Sequence, residues 1–386
     1  MKKNMTSILF TAVFGILVVL MGLISAKNLI SYYINDEVID NEWKAEMGGK
    51  FETDIAATFA GQKQFVQLNG AIRNALGQRE MNNVIKLNNG WLTTPLERCP
   101  DENIAAFVNR TASFRDYLEK RGTSLLYVSP PYTGSKYDPE LPAGIEDFSN
   151  DNIDRLLAGF RAAGIDTLDI REALHEDGIS EYDMMYRTDH HWTTGAGFYT
   201  YKILEKYIAE KTGCETDPRV SDINNYKMTD YGKWIGARGL RTGVSFAGTD
   251  EFTLIEPVFE TSIRNPEGKT GSIPDFFIDR DPDRDPDKVE QYTYDDILGS
   301  GIYMGHYTNL LSRNDVRILI ISDSFSKAVN PFLIMGFREV TGLLDSFICE
   351  NVTPELIEKY DPDVVIMLYY PQYINSGSGS FDFCGF

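Results

Sequence analysis

The sequence predicts an α/β protein with a mostly parallel sheet, preceded by one N-terminal transmembrane helix. Three observations carry this reading. An uncharged N-terminal run is long enough to cross a bilayer; short apolar strand segments then alternate with helical ones; and the same alternation returns near the C-terminus after an irregular stretch.

Lys2 and Lys3 precede the run SILFTAVFGILVVLMGLISA (7–26), and Lys27 follows it. At about 1.5 Å per helical residue the run covers the roughly 30 Å hydrocarbon core. Positive charge ahead of the run keeps the amino terminus cytoplasmic. Residues 1–27 therefore read as an anchor that leaves the rest of a single-pass cell-membrane protein extracytoplasmic. Ile24-Ser25-Ala26 also fits a cleavage site loosely, and cleavage would make the protein secreted. The length of the run favours the anchor.

Residues 28–89 read as a polar helical stem, ending in LNNGWL (87–92), whose Asn-Asn-Gly marks a turn. The main domain is expected over 90–386. From Asp101, the residues Ile104, Phe107, Val108, Phe114 and Leu118 recur at helical spacing until Gly122. TSLLYVSPP (123–131) reads as a buried strand. A second helix presents Ile153, Leu156, Leu157 and Phe160 before Gly164, and IDTLDI (165–170) is a further strand. Strand, helix and strand in succession imply a parallel pair with a crossover. Thr193 or Thr194 can cap a helix running through GAGFYTYKILEKYIAEKTG (195–213). The rhythm resumes with VRILIISDS (316–324), a helical segment to about 338, and DVVIMLYY (363–370).

Residues 214–300 break the pattern and read as an irregular or antiparallel insertion. Within it, Asp279, Asp281, Asp283, Asp285 and Asp287 alternate, a spacing reminiscent of a calcium loop. Pro282 and Pro286 interrupt that spacing and the EF-hand glycine is missing, so a solvated acidic loop is the simpler reading.

The formal net charge of -20 excludes nucleic acid as a natural partner, because phosphate backbones demand clustered Lys and Arg. Cys99, Cys214, Cys349 and Cys384 are widely spaced with no CxxC pair, which argues against a zinc knuckle.

Chemistry concentrates in two places. IISDSFSKA (320–328) runs from a buried strand straight into Ser322-Asp323-Ser324. Ser324 would then stand at the carboxyl edge of the sheet, where α/β folds place ligands, with its N–H at a helix start. A serine that merely caps the helix is the alternative. A serine nucleophile needs a base, usually a histidine oriented by a carboxylate. The chain has four His. His175 lies in a surface turn and His306 has no flanking acid, which leaves His190 and His191 beside Asp189 in YRTDHHWTTGAG (186–197). The one-residue gap would let Asp189 and His191 project from one side of an extended segment, with His190 pointing away. Metal binding by Asp-His-His is the competing use, but no HxH, HExxH or second His cluster supplies further ligands. No metal or cofactor is expected.

TDHHWT (188–193) resembles the signature of the DHHW family, and SDSFSKAVNPFL (322–333) resembles its serine block. NGWL (89–92), LLYVSPPYTGSKYDPELP (125–142) and LLDSF (343–347) fit it as well. That family is similar to the alginate O-acetylation proteins of the SGNH hydrolase-like superfamily. The resemblance implies a three-layer α/β/α domain whose catalytic residues are Ser324, His191 and Asp189, met in permuted order and acting on acetyl groups of a polysaccharide. It also implies a membrane-bound O-acyltransferase as the partner that hands over acetyl. Ser322 stands where GDS-type motifs have Gly, and would narrow the approach of backbone to substrate. Gly305, His306 and Asn309 are candidates for the missing oxyanion-hole residues. Trp192 and Tyr370 are candidates for stacking on sugar, although such aromatics serve more often as core and edge packing. An esterase and a non-catalytic polysaccharide-binding or assembly protein are the alternatives to a transferase.

Overall fold

The computed structural model describes residues 2–35, 59–277, 293–298, 304–344, 352–375, 381–383 and 385–386. The chain divides into two compact units, Met1–Gly77 and Gln78–Phe386.

The first unit contains the helix Lys2–Asn35, whose stretch Ser7–Ser31 has mean hydropathy 2.7 and is long and apolar enough to cross a membrane. It also contains the helix Gln62–Ala75. Helix was expected to continue to residue 89, but the chain instead forms a small antiparallel sheet of β1 (Glu80–Met81), β2 (Val84–Lys86) and β3 (Leu92–Thr93). The cause is local. Asn82 and Asn83 both take positive φ, 52° and 59°, as a tight hairpin turn requires and as Asn tolerates.

The second unit is built on an eight-stranded mixed sheet. Its strands are β4 (Ser124–Ser129), β5 (Asp166–Asp169), β8 (Ile263–Arg264), β9 (Thr270–Gly271), β10 (Gly305–Asn309), β11 (Arg317–Ser322), β12 (Glu339–Leu344) and β13 (Val364–Leu368). They lie in the order β5-β4-β13-β11-β12-β10-β8-β9. From β5 to β12 neighbouring strands are parallel; β10, β8 and β9 extend the edge antiparallel. The four expected strands are present as β4, β5, β11 and β13. The insertion supplies β8 and β9, together with a separate hairpin of β6 (Tyr226–Trp234) and β7 (Asp250–Pro257). The alternating Asp279–Asp287 run lies outside the described residues.

Continuous apolar strands mean that both sheet faces are covered. Leu125, Tyr127, Leu319, Ile321, Val365 and Met367 point to one side, against Phe107, Phe114, Leu156 and Phe160 of the helices Asp101–Glu119 and Ser149–Ala162. Leu126, Val128, Ile318, Ile320, Ile366 and Leu368 point to the other. They meet Tyr201, Leu204 and Ile208 of the helix Thr194–Thr212, and Leu333 of the helix Asn330–Gly336. The result is a three-layer α/β/α domain. Thr193 caps its helix as expected, its hydroxyl accepting from Ala196 N–H at 3.1 Å, and Gly213 ends it at φ 68°. The helical segment expected after Ser324 is two pieces, a 3-10 turn Ser324–Ala328 and the α-helix Asn330–Gly336. Cys99 and Cys214 are free thiols; Cys349 and Cys384 lie outside the described residues.

Candidate active site

β11 ends at Ser322, and Ser324 opens the 3-10 turn that follows at the carboxyl end of the parallel strands. The turn is capped by Asp323, not by either serine. Asp323 Oδ1 accepts from Phe325 N–H at 2.8 Å and its Oδ2 from Tyr370 N–H at 2.6 Å, which ties the turn to the end of β13. Ser324 is thereby relieved of the capping role. Ser322 is fully buried, its hydroxyl within 2.8 Å of Ser326 Oγ, so it faces inward and does not narrow the approach to Ser324.

Asp189 and His191 sit in a turn closed by the bridge between Met185 and Trp192. They were expected on one side of an extended segment, but the backbone bends there, and a side-chain turn joins them. Asp189 Oδ1 accepts His191 N–H at 2.9 Å and faces His191 Nδ1 at 2.6 Å. An ionised carboxylate only accepts, so Nδ1 carries the proton and Nε2 is left as the acceptor. His191 Nε2 lies 2.6 Å from Ser324 Oγ. Three side chains separated by up to 135 positions thus form one chain of hydrogen bonds, with Asp189 and His191 buried.

Two further contacts hold the segments together. Trp192 Nε1–H donates to Phe325 O at 2.8 Å. Gly197 lets the helix Thr194–Thr212 touch the serine turn, since a Cβ there would lie 2.1 Å from Ala328 O.

The insertion forms a wall of the site, which its irregular sequence did not announce. Asp189 Oδ2 accepts Ala237 N–H, and the buried Arg238 donates to Asp189 O. Asp250, at the start of β7, accepts the N–H groups of Arg187 and Thr188 at 2.7 and 2.8 Å and holds the turn from beneath. Tyr294 lays its ring parallel to His191, with centroids 4.0 Å apart and planes 5° apart. The only local signal for these residues is the short Gly-Ala-Arg-Gly run at 236–239.

Burial pushes the Asp189 pKa upward, but the fields of His190 and His191 and the hydrogen bonds from His191 and Ala237 N–H outweigh it, holding the carboxyl well below the usual carboxylate range. His190 was expected to point away. Instead its ring lies against His191 at a centroid distance of 3.9 Å and its Nδ1 is 3.3 Å from Asp189 Oδ1, because the bend brings both rings to the same side. Partial burial, with repulsion from His191 and Arg238, depresses its pKa against the pull of Asp189. Donor atoms of Asp189, His190 and His191 lie within 4.8 Å of one another. Both nitrogens of His191 are already engaged, by Asp189 and by Ser324, which leaves the trio poorly disposed for a cation.

The remaining candidates are placed differently. Gly305, His306 and Asn309 lie on β10, two strands from β11, and in register they descend away from the Ser324 end. His306 Nδ1 is 2.9 Å from Thr341 Oγ1, and Asn309 Nδ2 donates to Met335 O at 2.7 Å, closing the helix Asn330–Gly336. Trp192 is fully buried, and Tyr370 is buried between Phe325 and Tyr132 with Arg238 donating to its hydroxyl. Neither presents a face for sugar stacking. His175 stacks on Tyr137, away from this cluster.

Sheet order and layering define an SGNH hydrolase-like fold, with a Ser-His-Asp hydrogen-bond chain at the carboxyl edge of its sheet. The family described as "SGNH hydrolase-like domain, acetyltransferase AlgX" matches residues 84–224, which include Asp189 and His191 and stop short of Ser324. The chain is 30% identical over 112 residues to the alginate biosynthesis protein AlgX of Pseudomonas aeruginosa, a segment that is 28% of this chain and spans only 23% of AlgX. Among solved structures, PatB1 of Bacillus cereus with a sulfonyl adduct superposes with a TM-score of 0.60 at 16% identity, over 79% of this chain and 99% of that one. A DHHW family protein from Eubacterium siraeum gives a TM-score of 0.59 at 16% identity, over 78% and 96%. The likeness expected from TDHHWT is therefore found in both fold and sequence, the sequence match covering less of the chain than the motifs suggested.

Proposed function

We propose that this chain is a serine O-acetyltransferase acting outside the cytoplasmic membrane on acetyl groups of a cell-surface or secreted polysaccharide. The observation that supports this reading is His191 held at 2.6 Å from both Asp189 and Ser324. His191 Nε2 takes the Ser324 proton as Oγ attacks an acetyl carbonyl, and Asp189 steadies the imidazolium that results. In this reading the Ser324 N–H, at the start of the 3-10 turn, receives the oxyanion. The tetrahedral adduct collapses to acetyl-Ser324 as His191 returns the proton to the leaving oxygen. A sugar hydroxyl, deprotonated by His191, then attacks the acetyl carbonyl; the bond to Ser324 Oγ breaks, His191 returns the proton to that oxygen, and the acetylated sugar leaves. Acetyl-coenzyme A is confined to the cytoplasm, so a membrane-bound O-acyltransferase is the natural donor partner. Likeness to an acetyltransferase domain, and an N-terminal helix able to cross a membrane, support substrate class and location.

The test is turnover of an activated acetyl ester by wild type and by Ser324→Ala, with and without oligosaccharide acceptors. Ser324-dependent release accelerated by acceptor, with acetyl recovered on sugar, is the expected result. Acetate release that ignores every acceptor would make the protein an esterase. Equal rates for wild type and variant would leave a polysaccharide-binding or assembly protein.

A further inference from the structure

The helix Gln62–Ala75 leaves an apolar face exposed among the described residues. Phe65, Leu68 and Ile72 are 52%, 58% and 50% exposed, and Leu76 just beyond its end is 68% exposed. At 3.6 residues per turn these four fall within an arc of about 80°. Lys63 and Arg73 are the only charged residues of the helix, which has no acid in a chain of net charge -20.

The start of this helix is fixed against the apolar N-terminal helix. Ala60 N–H donates to Ser25 Oγ at 2.9 Å, and a Cβ on Gly61 would lie 3.8 Å from Met21 Cε. Met21, Ser25 and Leu29 are partly buried, whereas every other residue from 7 to 31 is exposed. Their four-residue spacing makes them one stripe on the helix surface. Ser25 precedes Lys27 by two residues, about 3 Å along the axis. Ala60 therefore stands where the uncharged run gives way to charge, which in a spanning helix is the boundary between acyl chains and headgroups.

We propose that Gln62–Ala75 is an interfacial helix that lies on the outer leaflet, with Phe65, Leu68, Ile72 and Leu76 in the acyl boundary and Lys63 and Arg73 at headgroup level. The inference rests on the reading of residues 1–27 as an uncleaved anchor. Exposed apolar side chains on one face and cationic charge elsewhere are the signature of a helix lying in the membrane surface. The bilayer is the one apolar phase that the neighbouring span already brings to this position. Long cationic side chains reach headgroups from such a helix without drawing its apolar face into water.

The experiment uses the full chain reconstituted in vesicles of phosphatidylcholine and phosphatidylglycerol brominated in their acyl chains, which quench nearby indole emission. Three tryptophan reporters are compared with wild type: L68W on the apolar face, N74W on the opposite face, and L17W within the span. Loss of most of the added emission for L68W and L17W, with N74W unaffected, is expected. Quenching of L17W without quenching of L68W beyond that of N74W overturns the interfacial helix and leaves the anchor standing. Absence of quenching at L17W as well overturns both.

Discussion

Ala237 donates its backbone N–H to Asp189 Oδ2 at 2.5 Å across 48 positions of sequence. The residue before it makes the approach possible, since a Cβ on Gly236 would lie 2.3 Å from both Asp189 Cβ and Oδ2. Gly236 has φ -80°, open to any residue, so the demand for glycine here is steric. Gly236→Ala should displace the carboxylate from His191 and lower kcat for acetyl-ester turnover by about 10²-fold, the usual consequence of a 1 Å misplacement. Steady-state kinetics with a melting curve checks this: kcat should fall far more than Tm. Wild-type kcat in the variant would show that Asp189 need not be held here.

Arg238 should be irreplaceable by lysine. It is 3% exposed; Nη1 donates to Leu92 O at 2.9 Å and to Asp189 O at 3.0 Å, while Nη2 donates to Tyr370 Oη at 2.8 Å. A guanidinium reaches these groups in different directions at once, whereas an ammonium is a single point on a flexible stem. Arg238→Lys leaves buried acceptors unpaired and should cost about 2–4 kcal/mol in urea unfolding. A change below about 0.5 kcal/mol, the range of ordinary surface substitutions, would rule the network out as a source of stability.

How much of this was legible follows from the range of each interaction. Ser324, His191 and Asp189 stand out because a strand-to-turn serine and an acid-histidine pair are local patterns tied to a chemistry. β4, β11 and β13 stand out because burial on both faces leaves an unbroken apolar run. Gly236, Ala237 and Arg238 do not, because their meaning lies in contacts with residues more than forty positions away, and their own stretch has no periodicity. Trp192 and Tyr370 could not be assigned to core or to sugar stacking from sequence for the same reason: an aromatic side chain carries no local mark of which way it faces, and both are buried. Asn82-Asn83 was readable as a hairpin turn, but short strands of two and three residues offer little pattern on either side of it.

Tyr294 should matter to turnover through its ring and not its hydroxyl. Its face lies parallel to His191 at 4.0 Å, where it would stabilise the imidazolium that the proposed attack by Ser324 forms. Tyr294→Phe keeps that face and should stay within about twofold of wild type. Tyr294→Leu keeps much of the volume without the π-system, and a loss of about 1–2 kcal/mol corresponds to roughly 5–30-fold in kcat/KM. Equal rates for the Phe and Leu variants would dismiss the ring as a contributor.

His190 should make the folded protein sensitive to mild acid. Partial burial, with repulsion from His191 and Arg238, lowers its pKa in the folded state, whereas in the unfolded chain a histidine titrates near 6.5. As pH falls, the unfolded chain takes up this proton first. The associated stability is fully present above about pH 6.5 and is lost progressively below it. Glutamine has similar size and no such titration, so His190→Gln should remove this component. Melting curves at about pH 7.5 and about pH 5 should show wild type losing more Tm than the variant. A difference between the two proteins that stays constant across that range would mean that His190 takes up its proton as readily folded as unfolded.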